Sequence, residues 1–425
     1  RFPDGACVVE REDESGLAGG PELFERCRHA LEGCDSVQGF QLLLDADSGF
    51  GGMGAALLTR IRDDYTRAPC LTLGLGAMAR PPPPPKPDGA RPNDARNEAH
   101  AYAPALNDAL ALTAFSDLAT AYVPLYGSSA VRMASDAAAV AAEEAELLCV
   151  APPYVALDRR LRYHTSAPIA LLLDCATLPC RAHAPSSSLG SLAATLAPGR
   201  ATYLAAASLA TPLPPDARPP PPPYRPADAA WEGPPLDPFR FDWFRPLAPL
   251  QLAPRCRPAH EQVVSWLGLD GGGIKAAPVV RSLLPSRGAG GSLWVRPQPL
   301  VLPLSFPQFF SDSMGKHGAA LAPPGYDAPP PAAPRPPQAE VMTLPCASAL
   351  QCTGALRPLL DCAASEWRGW RPSAERAAST EGWGQRDELR ELDEQLAALR
   401  EAYAELDAGH GDELFEDDGA DDDSD

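Results

Sequence analysis

The segment from Cys34 to Tyr65 constrains the fold more than any other part of this 425-residue chain. Its first part, "FQLLLDA" at 40–46, has the length and apolar character of a buried strand. After a glycine-rich turn, residues 52–65 are predicted to form a helix. Apolar residues recur along it at spacings of three and four and form one buried stripe: Ala55, Leu58, Ile61 and Tyr65. A second apolar strand at 70–77 follows, and the short links predict parallel strands joined by a right-handed crossover.

The turn between strand and helix, residues 46–52, raises the question of phosphate binding. Glycines that lead into a helix N-terminus let backbone N–H groups approach an anion closely. Asp45 and Asp47 lie at the lip of this turn, and like charges ~4 Å apart repel by about 1 kcal/mol in water and several times more in a half-buried site. We favour a tight turn in which the glycines supply positive φ and close packing, with phosphate contact as the alternative. A cation held by the two aspartates is disfavoured because further oxygen ligands are missing.

Proline is the compositional anomaly, with 51 residues in 425, against a usual share of roughly 5%. The prolines cluster, and we interpret three stretches as insertions of extended polyproline character: 78–98, 211–238 and 322–338. The insertions are expected to act as semi-rigid spacers, with docking to proline-binding domains as the alternative.

The chain is acidic, with a formal net charge of −19 at pH 7. The segment 412–425 supplies nine acidic residues and no basic one, which leaves −10 for the rest. Because no basic stripe is present, nucleic-acid binding and attraction to anionic lipid are disfavoured. The acidic tail is interpreted as a solvated, disordered segment, with docking to a basic groove of a partner as the alternative.

Other classes of function lack their usual patterns. The 11 cysteines are odd in number and form no CxxC pair, so reduced thiols in a cytosolic-type compartment are expected. No apolar run approaches 18 residues, which predicts no transmembrane segment, and no secretory signal is seen. The histidines show no HExxH spacing, no GxSxG elbow occurs, and "LDGGGIKAAP" at 269–278 lacks P-loop spacing. The sequence begins at Arg1 rather than methionine, so further protein is expected upstream.

Further elements are predicted along the chain. A helix over 104–120 should carry Pro104 in its first turn, and an apolar run, "APIALLLDCATLP", covers 167–179. The remaining predicted helices span 135–148, 187–196, 348–366 and 386–406, and the remaining strands span 122–126, 202–209 and 292–306.

The helix over 386–406 carries an apolar seam with charged residues between its members. The seam residues step by three and four, as in about two and a half heptads of a coiled coil: Leu389, Leu392, Leu396, Leu399, Tyr403 and Leu406. Because the seam is short, we expect this helix to dock on its own domain, with a partner helix as the alternative.

The segment from Cys34 to Tyr65 resembles part of tubulin. "CDSVQGFQL" and "GMGAALLTRIRDDY" are similar to the tubulin segments "CDCLQGFQL" and "MGTLLISKIREEY", which flank the glycine-rich signature loop. "LNDALALTAFSDLATAYVPL" at 106–125 is similar to the tubulin helix whose leading Asn touches guanine, and Asn107 holds that place. The resemblance covers about two-thirds of the chain and continues through 186–196 to a C-terminal helix and acidic tail.

Two departures from tubulin affect the expected chemistry. Where tubulins have GGGTGSG, this chain has "ADSGFGG", in which Asp47 adds a charge and Phe50 adds bulk beside the expected phosphates. Tubulins also supply an acidic residue from an Asn-X-Asp-Leu-Arg motif to orient the attacking water. Ser188 holds that place here, and it cannot act as a carboxylate. The resemblance therefore implies a degenerate GTPase with no catalytic residue retained.

The turn, the interrupted middle and the C-terminal helix resemble the Misato family of tubulin-like proteins more than true tubulins. That resemblance implies an α/β tubulin-like fold: a Rossmann-like nucleotide domain, N-terminally incomplete, then an α+β intermediate domain and C-terminal helices. The expected boundaries are a nucleotide-domain remnant at 1–130, a connecting helix at 131–150, the intermediate domain at 151–345, C-terminal helices at 346–411 and the tail at 412–425.

The Misato resemblance implies a non-enzymatic role in mitochondrial distribution, morphology and inheritance, in the cytoplasm and at the mitochondrial outer surface. Expected partners are proteins: mitochondrial surface proteins, tubulin, or chaperonin-type assembly factors. The alternatives are a GTP-binding or GTP-hydrolysing polymerising protein and an assembly factor for tubulin or chaperonin. No cofactor is required; if GTP binds, the vestigial site would comprise Ser48, Gly49, Gly51, Gly52, Gly54 and Asn107. For Asn107 we favour a polar residue near a helix start with its amide in water, with the guanine contact as the alternative.

Overall fold

A computed structural model describes most of the predicted folded segments. The described residues are 20–76, 95–126, 162–181, 187–196, 204–210, 241–242, 261–267, 290–296, 298–310, 315–318, 340–352, 356–381 and 386–408, together with Ala6. The predicted helix over 135–148, the turn at 269–278 and the acidic tail lie outside the described residues. The predicted proline insertions at 211–238 and 322–338 also lie outside them.

Three parallel strands form the first sheet. They are β1 (Phe40–Asp45), β2 (Cys70–Gly76) and β3 (Ala121–Tyr126), in the order β1–β2–β3. Helix α1 (Gly20–Glu32) precedes the sheet, and two helices connect its strands: α2 (Gly49–Asp64) and α3 (Ala95–Leu118). The predicted parallel strand–helix–strand unit is confirmed, and its helix buries Ala55, Leu58 and Ile61 as expected.

The two faces of this sheet join separate apolar cores, because successive side chains of a strand point to opposite faces. Leu73 and Val123 belong to one core, whereas Tyr122 belongs to the core formed with α2 and α3. The Tyr122 ring lies 5.2 Å from the ring of Phe115 on α3. Gly74 leaves the space that this tyrosine fills, since a Cβ at Gly74 would lie 2.3 Å from the Tyr122 hydroxyl oxygen.

A second, mixed sheet covers the core that contains Leu73 and Val123. Helices α4 (Arg162–Arg181) and α5 (Leu189–Leu196) pack against it. Its strands, in spatial order β5–β4–β10–β6–β7, are β4 (Ala206–Ala210), β5 (Phe241–Asp242), β6 (Glu261–Leu267), β7 (Gly290–Arg296) and β10 (Cys346–Cys352). Among the described strands of this sheet, only β6 and β7 pair in parallel. A small antiparallel pair completes the elements: β8 (Leu300–Val301) and β9 (Thr343–Leu344).

The two sheets are joined at the edge of β3. Leu204 forms a parallel bridge with Tyr122, and the backbone N–H of Ala205 donates to the Tyr122 carbonyl oxygen at 2.7 Å. Leu204 and Ala205 are fully buried, so the connection lies inside the protein. The chain therefore has an α/β architecture in which a parallel unit continues into a mixed sheet.

The two last helices, α6 (Arg357–Glu381) and α7 (Arg386–Ala408), close the first core. The seam of α7 faces inward, with Leu389, Leu392 and Leu396 buried in the same core as α2 and α3. The Tyr403 hydroxyl donates to the Leu204 carbonyl oxygen at 2.6 Å. Docking of this helix on its own domain, rather than on a partner helix, is confirmed.

Several predicted boundaries were wrong. The helix predicted over 348–366 begins as strand β10, because residues 346–352 pair with strands on both sides and this pairing overrides their helix-favouring Ala and Leu content. Helix α3 begins at Ala95, within the predicted insertion 78–98 and well before Pro104. The strand predicted over 292–306 divides into β7 and β8, and the strand predicted over 202–209 is shorter. Strand β1 is a half-exposed edge strand rather than a buried one.

Arg62 ties the base of α2 to the strands beside it. Its guanidinium donates to the Leu118 carbonyl oxygen at 2.6 Å, to the Ala68 carbonyl oxygen at 2.9 Å and to the Thr120 hydroxyl at 2.8 Å. That hydroxyl in turn accepts from the Cys70 backbone N–H at 3.0 Å. The positive charge meets the C-terminal end of α3, where the helix dipole is negative. Arg62 therefore links α2 to the C-terminal end of α3 and, through Thr120, to the start of β2.

Candidate functional site

The glycine-rich segment begins a helix rather than forming an open loop. Ser48 is the N-cap of α2, and its hydroxyl accepts from the Phe50 backbone N–H at 3.1 Å. The same hydroxyl donates to the Asp45 carbonyl oxygen at 3.1 Å, and the Gly51 N–H donates to the Ser48 carbonyl oxygen at 3.1 Å. Two N–H groups that an anion at this helix end would need are therefore engaged within the turn.

The glycines here do not supply positive φ, so that part of the favoured interpretation was wrong. Among the described glycines, positive φ occurs at Gly39 and Gly318, whereas Gly49, Gly51, Gly52 and Gly54 lie within α2. The close-packing part is confirmed at Gly54, where a Cβ would lie 2.7 Å from Leu44 Cδ2 on β1. The helix can therefore approach the sheet closely only because position 54 has no side chain.

Asn107 fastens α3 to the turn. Its Nδ2 donates to the Asp47 carbonyl oxygen at 2.8 Å, and its side chain is only 4% exposed. The favoured interpretation, an amide in water near a helix start, was therefore wrong: Asn107 lies 12 residues after Ala95, the first residue of α3, and it is buried. The contact brings the two parts of the predicted site together, but it uses the amide donor to hold the turn itself.

Phe50 lies on the outer side of the first turn of α2. Its side chain is 67% exposed, so its bulk stands in solvent at the mouth of the turn. Glycine would leave this position open.

Among the described residues, no group of three or more His, Cys, Asp or Glu side chains could hold a metal ion, Asp45 and Asp47 included.

Ser188, at the place of the activating acid, caps a helix. Its hydroxyl accepts from the Ser191 backbone N–H at 3.0 Å, and its carbonyl accepts from the Leu192 N–H at 3.0 Å. This is the N-cap arrangement, in which a side-chain oxygen satisfies an otherwise unpaired backbone donor of the first turn. The residue thus contributes to the stability of α5, and it carries neither a negative charge nor a base.

The described cysteines are free thiols, and most are buried. Cys175 on α4 and Cys346 on β10 meet in the core between helix and sheet. A hydrogen bond made by the neutral Cys346 thiol to Cys175, followed by burial, raises the pKa of Cys346 well above its usual value. Burial also raises the pKa of the Cys70 thiol, although the nearby Arg62 charge opposes the rise. Thiols with raised pKa values are poor nucleophiles at neutral pH.

Within the described part of the chain, no helix is long and apolar enough to cross a bilayer.

Comparisons with known proteins agree with this geometry. The profile of the Tubulin domain family matches residues 17–182, which include the parallel unit, α2 and α3. Human "Protein misato homolog 1" is 27% identical over 231 residues, covering 50% of this chain and 36% of the relative. The protein of that name from Macaca fascicularis matches to the same extent. Drosophila "Protein misato" is 45% identical over 47 residues, 11% of this chain and 8% of that protein.

The matched region thus spans about a third of the length of its mammalian relatives. The similarity is to misato proteins from both insects and mammals, and the matched domain contains β1, the glycine-rich turn and α2. The chain therefore carries a Tubulin-family domain over residues 17–182, has an α/β tubulin-like fold and is similar to proteins of the Misato family.

Proposed function

We propose that this chain is a non-enzymatic tubulin-like protein that acts in mitochondrial distribution, morphology and inheritance, working from the cytoplasm at the mitochondrial outer surface. Its similarity to misato proteins supports the proposal. The role requires protein partners, and mitochondrial surface proteins, tubulin and chaperonin-type assembly factors are the candidates. Recruitment through a partner fits a chain whose described helices include none long and apolar enough to span a bilayer.

One observation supports the proposal that the protein is not an enzyme. The residues at the positions where tubulins bind nucleotide and activate water here stabilise the fold instead. The hydroxyl of Ser188 caps α5, the hydroxyl of Ser48 caps α2, and the amide of Asn107 holds the turn backbone. A GTPase would need a carboxylate or equivalent to orient water and several free N–H donors for phosphate. These positions instead stabilise the scaffold, which is the arrangement expected of a protein that has kept the fold and lost the reaction.

A GTP-binding, polymerising protein is the second candidate function. The feature that favours it is the placement of α2 directly after the carboxyl end of β1, the position at which parallel α/β sheets bind ligands. An assembly factor for tubulin or chaperonin is a third candidate, and it would also be non-enzymatic.

Nucleotide affinity and turnover separate the first two functions. With a fluorescent GTP analogue we expect weaker than micromolar binding and no turnover by the full chain. Asp47→Asn should tighten binding about fivefold or more, because it removes a like charge worth about 1 kcal/mol or more beside the phosphates. Asp64→Asn, which removes the same charge at the far end of α2, is the matched control and should change nothing. Micromolar binding by the wild type, with turnover that rises with protein concentration, would overturn the proposal.

Depletion in cells tests the mitochondrial role directly. We expect fragmented or clustered mitochondria in depleted cells, measured as network length per cell, and recovery on expression of the wild-type chain. Ser188→Asn, which keeps a helix cap and carries no charge, should restore the network equally well if no acidic residue is needed there. Normal networks after complete depletion would refute the role.

A further inference from the structure

Two cysteines from distant parts of the chain meet between α4 and the mixed sheet. Helix α4 packs against β10. Cys175 lies on the buried side of the helix, and Cys346 is the first residue of the strand. Both residues are fully buried in the same core, and a hydrogen bond joins their thiols. The two sulfur atoms are therefore already neighbours in the folded chain.

The two thiols differ in how readily they can react. The neutral Cys346 thiol makes the hydrogen bond to Cys175, and this bond together with burial raises the pKa of Cys346 well above its usual value. Cys346 therefore stays protonated at neutral pH and is a poor first nucleophile. The sulfur of Cys175 is the acceptor of that bond, so Cys175 is the better placed of the two to attack an oxidant first.

Helix α4 is weakened at the position of Cys175. Pro179 lies inside the helix, four residues after Cys175, and proline has no N–H to donate to the Cys175 carbonyl oxygen. The proline ring also crowds that carbonyl. Segments that lack backbone hydrogen bonds open more readily than the rest of a fold. An opening here would admit a molecule as small as hydrogen peroxide to the buried sulfur.

A buried hydroxyl lies on the same face of β10 as Cys346. Ser348 is 1% exposed, and its Oγ has no hydrogen-bond partner among the described residues. Because side chains alternate along a strand, Ser348 faces the helices together with Cys346. Buried polar groups are nearly always paired, so an unused hydroxyl in this core calls for a reason. It can donate to an oxygen atom bound to sulfur, which is the first product of thiol oxidation.

We propose that Cys175 and Cys346 are a redox-sensitive pair, which hydrogen peroxide oxidises to a disulfide when α4 opens at Pro179. The Cys175 sulfur attacks one peroxide oxygen, the O–O bond breaks, and the departing hydroxyl takes the Cys175 thiol proton to form water. The Cys346 sulfur then attacks the sulfur of the resulting sulfenic acid. The S–O bond breaks, and the departing hydroxyl takes the Cys346 proton to form a second water. The two thiols lose two electrons, and the peroxide gains them.

The disulfide would fix α4 to the middle strand of the mixed sheet. Helix α4 lies within the residues that the Tubulin domain profile matches, whereas β10 lies beyond them. The bond would thus tie these two parts of the chain together and stabilise the folded form. Oxidation converts a helix that can open into one that cannot. This inference rests neither on GTP nor on the proposed mitochondrial role.

Peptide mass spectrometry of the full chain tests the pairing. After treatment with hydrogen peroxide, and blocking of the remaining thiols with N-ethylmaleimide, we expect a disulfide-linked pair of peptides that contain Cys175 and Cys346. Thermal unfolding of the oxidised chain should have a midpoint about 5 °C or more above that of the same sample reduced with dithiothreitol. Absence of the linked peptides, or linkage of Cys175 only to other cysteines, would overturn the proposal.

Cysteine variants separate this pair from the other thiols. Cys175→Ala should abolish the rise in the unfolding midpoint on oxidation. Cys180→Ala is the matched control, since Cys180 is also a buried cysteine of α4, and it should retain the rise. Circular dichroism of the reduced proteins confirms that both variants fold. A rise that persists in Cys175→Ala, or one that is lost in Cys180→Ala, would contradict the assignment.

Replacement of the helix prolines tests the opening. Pro179→Ala restores the backbone hydrogen bond to Cys175 and should slow disulfide formation at least about threefold. Pro168→Ala is the matched control, because Pro168 is also inside α4 but lies before Cys175, and its rate should stay near that of the wild type. Samples blocked with N-ethylmaleimide at intervals give the rates. Equal rates for the two variants would contradict opening at Pro179.

Discussion

Replacing Trp367 by alanine is expected to lower the free energy of unfolding by about 3–5 kcal/mol. Among the residues that the structure describes, Trp367 is the largest fully buried side chain, and it lies on α6 in the core shared with α2, α3 and α7. Its removal leaves a cavity that the surrounding helices can fill only in part. Its Nε1 also donates to the Asp393 carboxylate on α7 at 2.7 Å, so the change removes a link between the last two helices.

Phenylalanine at the same position separates packing from hydrogen bonding. Trp367→Phe keeps much of the buried volume, and Asp393 retains its ion pair with Arg371, so a loss of about 1–2 kcal/mol is expected. Urea denaturation followed by circular dichroism measures both variants. Equal losses for alanine and phenylalanine would show that packing of the ring contributes little, contrary to the position of Trp367 in the core.

The change Gly39→Ala is expected to cost about 2–5 kcal/mol of stability. Gly39 has φ of +142°, a conformation that residues with a side chain rarely adopt. A Cβ at this position would also lie 2.3 Å from the Pro69 carbonyl oxygen and 2.9 Å from Leu189 Cδ2. The backbone of Pro69 cannot move freely, because that oxygen accepts the first hydrogen bond of β1 from Phe40.

Gly33→Ala is the matched control for this prediction. A Cβ at Gly33 would meet only the Ala30 carbonyl oxygen, at 3.6 Å, and the residue is exposed. Its replacement should change the free energy of unfolding by no more than about 1 kcal/mol. Thermal unfolding of the two variants side by side measures the difference. A Gly39→Ala protein as stable as its control would contradict the strained conformation.

Parts of the fold could be predicted because local pattern and tertiary environment agree. The stripe of Ala55, Leu58 and Ile61 recurs at helical spacing and faces a core that needs one apolar face. The seam of α7 predicted docking for the same reason, and the buried Leu396 and Tyr403 lie where the heptad spacing puts them. In these elements the sequence period alone determines which side is buried.

Other elements could not be predicted because distant contacts decide them. Strand β10 has a composition that suits a helix, and only its pairing with β4 and β6 makes it a strand. The exposure of β1 depends on its place in the strand order, and no local sequence pattern indicates that order. The acceptors of the Arg62 guanidinium come from segments up to 58 residues away, so no local pattern indicates them.

The candidate site was predicted in its location but not in its contacts. The substitutions at Asp47, Phe50 and Ser188 are visible in the sequence, and their positions at helix starts follow from the turn pattern. The bond from Asn107 to the Asp47 carbonyl oxygen could not be foreseen, because it joins residues 60 positions apart. The sequence shows only that Asn107 is a polar residue within the largely apolar run "PALNDALAL" at 104–112, which does not identify its partner.

The hydrogen bond from Tyr403 to Leu204, whose partners are 199 residues apart, has a consequence for synthesis of the chain. While the ribosome is still translating the middle of the sequence, α2 and α3 have been made but their covering helices have not. The apolar side of the nascent parallel unit stays open throughout that time, and closure over such sequence distances is slow. Chaperones that shield hydrophobic surfaces on emerging polypeptides should therefore strongly influence the yield of this protein.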